Sequence, residues 1–370
     1  MAAPAAVAVS TPGKLILMGE HAVVYGRPAL AAAIDLRLTV RLSPLPDSTV
    51  RLDLPSLPHA EETTWDAVRA HARAARENWD EYAREPGPER FRAVRGDDRS
   101  HLVKVALGEA AAALGEEDSP GLSLRIESAL PVGSGFGSSA ATATGIVAAY
   151  LSFRGAFHEK SQLDLDAVER IVLEAERRQH GLPSGIDGAT VLHGGLLWAR
   201  KLPAGGLAVE RVPVRSPLLS RLRVYDTGMP AETTGAVVAA VRHRRDQDPA
   251  GHERLLDRIE AATRGFRAEL EREEENPARA RELIAECEAA LEEMGVVTPE
   301  VRALVRQVEA AGGAAKISGA GALTGSGAGS LLVYHADPEW ISGWSFLRPF
   351  PFHPVHLGAE GLRLERPTHE

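Results

Sequence analysis

Cysteine is almost absent. A single thiol, Cys287, in 370 residues excludes an internal disulfide framework and a thiolate zinc cluster. Its setting, RELIAECEAALEEM, reads as a helical core position. Long hydrophobic runs are also missing: no stretch reaches the roughly 18 consecutive apolar residues that a membrane-spanning helix needs. The opening MAAPAAVAVSTPGK lacks a basic n-region and a following signal core, so the expected location is cytoplasmic, with no membrane partner. Positive charge is in deficit, with 42 Lys and Arg against 51 Asp and Glu and a net charge of −9. That balance argues against a nucleic-acid partner, and an anionic ligand must then be attracted locally. Aromatics make up only 5% of the chain. Arginine-rich runs such as AVRAHARAAR lack the aromatic interleaving of single-strand binders and read as solvated helix surface. What remains, 44% hydrophobic and 25% charged over a two-domain length, describes a globular protein able to bury a full core.

The apolar, β-prone patterns Leu15 to Met18 and Ala29 to Leu42, broken by GEHAVVYGRP, predict strand, turn and strand. From about Glu61 to Ala112 the chain turns charged and helix-favouring, interrupted by EPGPE at 85–89, which predicts surface helices covering a sheet. SLRIESAL at 123–130 alternates as a strand, and ATATGIVAAYLSF reads as a buried helix. After a boundary expected near 205–220, LRVYDTG predicts a strand and three helical patterns follow. Leu255, Leu256, Ile259, Ala262, Phe266 and Leu270 share one face; so do Leu283, Ile284, Cys287, Leu291 and Met294. The third runs from Thr298 as N-cap and Pro299 at the first position to Gly312 and Gly313. AAKISGAGALTGSGAGSLLVY then predicts a strand, a glycine loop and a strand.

Residues 131–145, PVGSGFGSSAATATG, join a predicted strand to a predicted helix. Such a junction gathers unpaired backbone N–H groups and the positive end of a helix dipole, which makes an anion site. The spacing excludes two familiar phosphate loops. No GxxxxGK[ST] string occurs, and Gly133, Gly135 and Gly137 fall at every second position, not as GxGxxG.

The string PxGxGxGSSA resembles the nucleotide loop of the GHMP kinase superfamily, named for galactokinase, homoserine kinase, mevalonate kinase and phosphomevalonate kinase. PGKLILMGEHAVVYGRPAL is similar to that superfamily's opening motif, GGAAKISGAGALTGSGAG to its third motif, and EAERRQHGLPSGIDGATVLHGG to the segment carrying its catalytic aspartate. The four occur in the superfamily's order over residues 12 to 330. After GEH, sugar kinases tend to carry an acidic residue and a tyrosine; here Ala22, Val23, Val24, Tyr25 and Gly26 follow, an apolar wall suited to a branched, methyl-bearing acceptor. GKLILMGEHAVVYG and ERRQHGLPSGID look specifically like the mevalonate kinases.

The resemblance implies an α+β fold: an amino-terminal ribosomal-protein-S5-like domain over 1–212 and a carboxyl-terminal ferredoxin-like domain over 213–370, with the active site between them. It implies ATP and Mg²⁺ as cofactors, mevalonate as the small-molecule partner phosphorylated on its 5-hydroxyl, and dimerisation and isoprenoid feedback as family expectations. Asp187 would take or orient the acceptor proton, and Lys14 would stabilise the transferring phosphate. Ser139 and Glu176 would ligate Mg²⁺ as hard oxygen donors. Pro131, Gly133, Ser134, Gly135, Phe136, Gly137, Ser138, Ser139 and Ala140, with Gly319 and Gly321, would hold the nucleotide. Lys14, Glu20, His21, Asp187 and Thr233 would contact the acceptor, although Thr233 also suits a helix N-cap.

Two departures stand out. The third motif carries Ala322, Leu323, Thr324 and Gly325 where the family has further glycines and a cysteine, and Gly188 follows Asp187 where mevalonate kinases commonly have asparagine. The alternatives are a kinase of the same superfamily for phosphomevalonate or a sugar, and a non-catalytic regulatory protein on this fold. A phosphorylated acceptor calls for extra cations, and the opening motif offers only Lys14 and Arg27; a regulatory protein would be expected to lose Asp187, Lys14 or the metal ligands.

Overall fold

The computed structural model describes residues 5–115, 119–131, 133–155, 163–203, 205–274 and 276–365. The amino-terminal part comprises β1 (Val7–Met18), β2 (Pro28–Pro44), β3 (Thr49–Leu54), β4 (His59–Thr64), α1 (Trp65–Arg84), α2 (Pro88–Arg95), α3 (His101–Ala113), β5 (Leu122–Ser128), α4 (Ser138–Phe153), α5 (Leu165–His180), α6 (Ile186–His193), β6 (Leu196–Lys201) and β7 (Leu207–Arg211). Its sheet runs β1-β2-β5-β3-β4, with β6 on the first part of β2 and β7 beyond β6. Every pairing is antiparallel except β3 with β5. Two register shifts interrupt β1 against β2, at Pro12/Gly13 and Ile16/Met18. A bulge of this kind re-aims the side chain beside it, and here that side chain is Lys14.

The second part comprises β8 (Leu222–Asp226), α7 (Thr234–Gln247), α8 (Pro249–Glu271), α9 (Pro277–Met294), α10 (Pro299–Ala310), β9 (Ala314–Ser318), β10 (Ser330–Tyr334), α11 (Glu339–Ser342) and β11 (Phe352–His353). Its antiparallel sheet has the order β11-β8-β10-β9. That is the βαββαβ arrangement of a ferredoxin-like unit, with several helices in its first crossover. The chain ends its described course as β12 (Arg363–Glu365), which pairs with β1 in the first sheet. The protein therefore has the expected two-unit α+β fold. No helix among the described residues is long and apolar enough to cross a membrane.

The predicted helical faces match burial except at Leu255, which is half-buried: Leu256, Ile259, Ala262, Phe266 and Leu270 of α8 and Leu283, Ile284, Cys287, Leu291 and Met294 of α9 are all buried. Two local expectations need correction. Residues 59–64 form an edge strand, because His59 to Thr64 alternate half-buried and exposed against β3. Helix α3 is a buried helix, not a surface one; Lys104 is answered by Glu61 and Asp98 and Glu109 by Arg76, so its charges tolerate the interior. Thr298 occupies the N-cap of α10 with extended backbone, yet its hydroxyl makes no capping bond.

Candidate active site

The expected anion loop takes its shape from three left-handed glycines, Gly133, Gly135 and Gly137, at φ 80°, 80° and 76°. Alternating them with larger residues folds the chain back before α4, whose N-cap is Gly137. The loop lies directly on β1: the Lys14 amide donates to the Phe136 carbonyl at 2.9 Å. Contact this close needs glycine on both sides. A Cβ at Gly13 would sit 2.8 Å from the Phe136 carbonyl oxygen, and one at Gly137 would sit 2.6 Å from Cγ of Lys14.

Lys14 is buried, and its Nζ lies 3.0 Å from Oδ2 of Asp187. Asp187 stands in the first turn of α6, a helix entered through the left-handed Gly185. Beside this pair, Glu176 on α5 is buried and has no hydrogen-bond or ion-pair partner among the described residues. Burial pushes its carboxyl up to about 8, the negative charge of Asp187 adding to the effect and Lys14 opposing it. The hydroxyl of Ser139 lies 2.9 Å from Nε2 of His180, which burial pushes down to about 4 and so keeps neutral. Gly188 gives Glu176 its room: a Cβ there would come within 3.0 Å of Val172 and 3.4 Å of Oε2 of Glu176.

On the other side of Lys14, Glu20 and His21 follow β1. Glu20 is ion-paired with the buried Lys316, and its second oxygen, Oε2, is buried without a partner. Burial holds this carboxyl above its usual range despite the pull of Lys316. His21 sits at φ 58°, outside the usual range for a side-chain-bearing residue. Its Nε2 meets the Ala320 carbonyl at 2.9 Å, while its Nδ1 is buried and unpartnered. Burial pushes the ring down to about 4.

These groups line one cavity of about 530 Å³. Lys14, Glu20, His21, Pro131, Gly133, Gly135, Phe136, Gly137, Ser138, Ser139, Glu176, Asp187, Thr233, Gly319 and Gly321 all border it. Ser134 and Ala140, expected with the nucleotide, do not. The Ser134 hydroxyl donates to Asp226 and its carbonyl accepts from Ser330, which fastens the loop to the second sheet, and Ala140 is packed in the core. Thr233 combines both of its expected features: it borders the cavity, and its hydroxyl accepts from the Ala236 amide at 3.3 Å as the N-cap of α7. The altered third loop is docked on the segment before α7, where Glu232 accepts from the Leu323 amide at 3.0 Å and from the Thr324 hydroxyl at 2.5 Å. Burial opposes ionisation of Glu232, but these hydrogen bonds hold it below the usual carboxylate range.

Sequence reasoning missed His180, Lys316, Glu232 and Arg95. The first lay in view inside ERRQHG, but its partner Ser139 is 41 positions away. Lys316 and Glu20 are 296 positions apart, and no local pattern announces such a pair.

Comparison with known proteins agrees with this geometry. The family described as GHMP kinases N terminal domain matches residues 101–195, from α3 to the turn after α6. The mevalonate kinase of Methanococcus jannaschii shares the fold, with a TM-score of 0.68 at 18% identity over 97% of this chain and 98% of that one. The mevalonate kinase of Archaeoglobus fulgidus is 30% identical over 84% of this chain and 88% of its own length. The human mevalonate kinase is 30% identical over 88% of this chain and 85% of its own length. With identity sustained across both units and a glycine loop, a lysine–aspartate pair and a carboxylate converging on one cavity, the chain belongs to the mevalonate kinase family of GHMP kinases, ATP-dependent kinases of small molecules.

Proposed function

We propose that the chain transfers the γ-phosphate of ATP to the 5-hydroxyl of mevalonate, with Lys14, Asp187, Ser139 and Glu176 as its working residues. The observation that carries this reading is the Lys14–Asp187 pair, 3.0 Å apart, between the glycine loop and the Glu20–His21 side of the cavity. Phosphoryl transfer needs positioning and charge stabilisation more than covalent chemistry from the protein. Asp187 accepts or orients the proton of the attacking hydroxyl. Lys14, ion-paired with Asp187, faces the phosphate as negative charge shifts during transfer.

The unpartnered carboxylate of Glu176 and the hydroxyl of Ser139 suit Mg²⁺, which prefers hard oxygen donors and leaves other positions to phosphate and water. Among the described residues no group of three or more His, Cys, Asp or Glu is placed to hold a metal ion by itself. Bound there, Mg²⁺ would neutralise phosphate charge. In the tautomer with Nε2 bare, neutral His180 would accept the Ser139 proton and leave the serine oxygen's lone pairs free for the metal. On the acceptor side, Glu20 Oε2 and His21 Nδ1 are buried polar atoms in need of partners, which a hydroxyl or carboxylate of mevalonate supplies. Ile16, Val23 and Val24 line the same cavity and suit its methyl group.

The direct test is Asp187→Asn. Turnover should fall by about 10²- to 10⁴-fold, the span of a lost general base, with ADP affinity retained. Near-normal turnover removes Asp187 from the role given to it here.

A further inference from the structure

Among the described residues, two lysine or arginine side chains line the cavity, Lys14 and Arg95. Lys14 is committed to Asp187. Arg95 is exposed and has no hydrogen-bond or ion-pair partner among the described residues. The other ionisable groups on the wall are the carboxyls of Glu20, Glu176, Asp187 and Glu232 and the rings of His21 and His180, both held largely neutral. This wall is poor in free positive charge for a site that takes a polyphosphate, and the chain as a whole is acidic. An unpaired guanidinium in that setting has a clear electrostatic use.

Its place in the fold decides which substrate it serves. Arg95 ends α2, and α2 is held in position by several contacts. Phe91 packs on Tyr82 with ring centroids 5.6 Å apart, and the Ala93 carbonyl accepts from Asn78 at 3.1 Å. Phe91 also lies so close to Gly235, at the start of α7, that a Cβ there would be 2.5 Å from its ring. A Cβ at Gly96, the next residue, would lie 3.9 Å from Nδ1 of His101, and Nε2 of His101 meets the Arg178 carbonyl at 3.2 Å, which sets the Arg95 end of α2 beside the last turn of α5. His180 is the residue bonded to Ser139 in the first turn of α4. Arg95 therefore borders the cavity from the α5 side, where His180 meets Ser139 of the helix that the glycine loop opens.

We infer that Arg95 is a further nucleotide-binding residue, whose guanidinium grips phosphate oxygens of ATP and ADP. The inference rests on the reading of the glycine loop as the triphosphate site. A planar guanidinium presents paired N–H donors that match phosphate oxygens, and its contacts are charge-assisted. No sequence motif announces Arg95, because it lies in the helical insertion before the glycine loop and not in any of the four recognised segments.

The test compares wild type, Arg95→Ala and Arg95→Lys by calorimetric titration with Mg-ADP, by competition with adenosine, and by steady-state kinetics. In Arg95→Ala, affinity for ADP should fall ~10- to 100-fold, the span of one charge-assisted hydrogen bond. KM for ATP should rise with it. Adenosine, which lacks phosphates, should compete as well as it does against wild type, and KM for mevalonate should not move. Arg95→Lys should recover part of the loss, since it keeps the charge but not the fork. Equal losses for ADP and adenosine would point to local distortion and overturn the inference. A raised KM for mevalonate with ADP binding intact would place Arg95 on the acceptor and overturn it as well. Unchanged constants would leave Arg95 a solvated surface residue. Failure of wild type itself to bind Mg-ADP would instead strike the underlying reading of the glycine loop.

Discussion

Replacing Gly137 with alanine tests how tightly the glycine loop and the Lys14–Asp187 pair are built into one another. At φ 76° a side-chain-bearing residue is strained, by about 1–2 kcal/mol. The new Cβ would lie 2.6, 2.9 and 3.2 Å from Cγ, Cε and Cδ of Lys14, the three nearest atoms, all on one side chain. Relief must therefore come from the lysine stem, which is buried and holds its ammonium 3.0 Å from Asp187. The stability loss should stay at about 1–3 kcal/mol, because the stem is flexible. The catalytic loss should be larger, about 10²-fold in kcat, since displacing a reacting group by about 1 Å costs that much. Urea denaturation reads the first and ADP release at saturating mevalonate and Mg-ATP reads the second. In a Lys14→Ala background the same substitution should cost only the backbone strain, so the two changes should be non-additive in stability. A Gly137→Ala protein whose kcat stays within about threefold of wild type would refute the argument that the loop positions Lys14.

Ser139→Ala and Glu176→Gln should each raise the Mg²⁺ concentration needed for half-maximal turnover, by about tenfold or more if each supplies one ligand; a magnesium dependence unchanged in both would remove the metal assignment. The buried Glu288, pushed up to about 8 by burial against the pull of Lys316, supplies a separate check on the core. Its folded-state pKa lies above the unfolded value near 4.5, so folding favours the protonated form and stability falls as pH rises from about 4.5 to 8. Glu288→Gln should remove one proton's worth of that slope, about 1.4 kcal/mol per pH unit between pH 5 and 8, in denaturation midpoints measured across the range. Parallel wild-type and variant curves would show that Glu288 ionises normally.

Much of the site was legible because its residues fall in contiguous strings whose spacing is dictated by backbone geometry. A strand ending in glycines at every second position and opening a helix has few structural alternatives, and that string carries Ser139; Lys14 and Asp187 were picked out by resemblance to the family's other motifs. What the sequence hid was decided by distant partners. His180 looks like one more polar residue on a charged helix until Ser139 is brought to 2.9 Å, and nothing near Glu20 in the chain announces its pairing with Lys316. Helix α3 has the charged texture of a surface helix, but Glu61 and Asp98 pair with its Lys104 and Arg76 with its Glu109. The departures Gly188 and Ala322–Gly325 became interpretable only in three dimensions. Gly188 leaves space for Glu176, and the lengthened loop hangs its Leu323 amide and Thr324 hydroxyl on Glu232.

The most direct test of the account is the acceptor specificity of the purified protein, measured as ADP release from Mg-ATP with mevalonate, 5-phosphomevalonate, galactose and homoserine offered separately. The account predicts turnover with mevalonate and none above background with the other three. Turnover confined to another acceptor, or ADP release that none of the four stimulates, would contradict it.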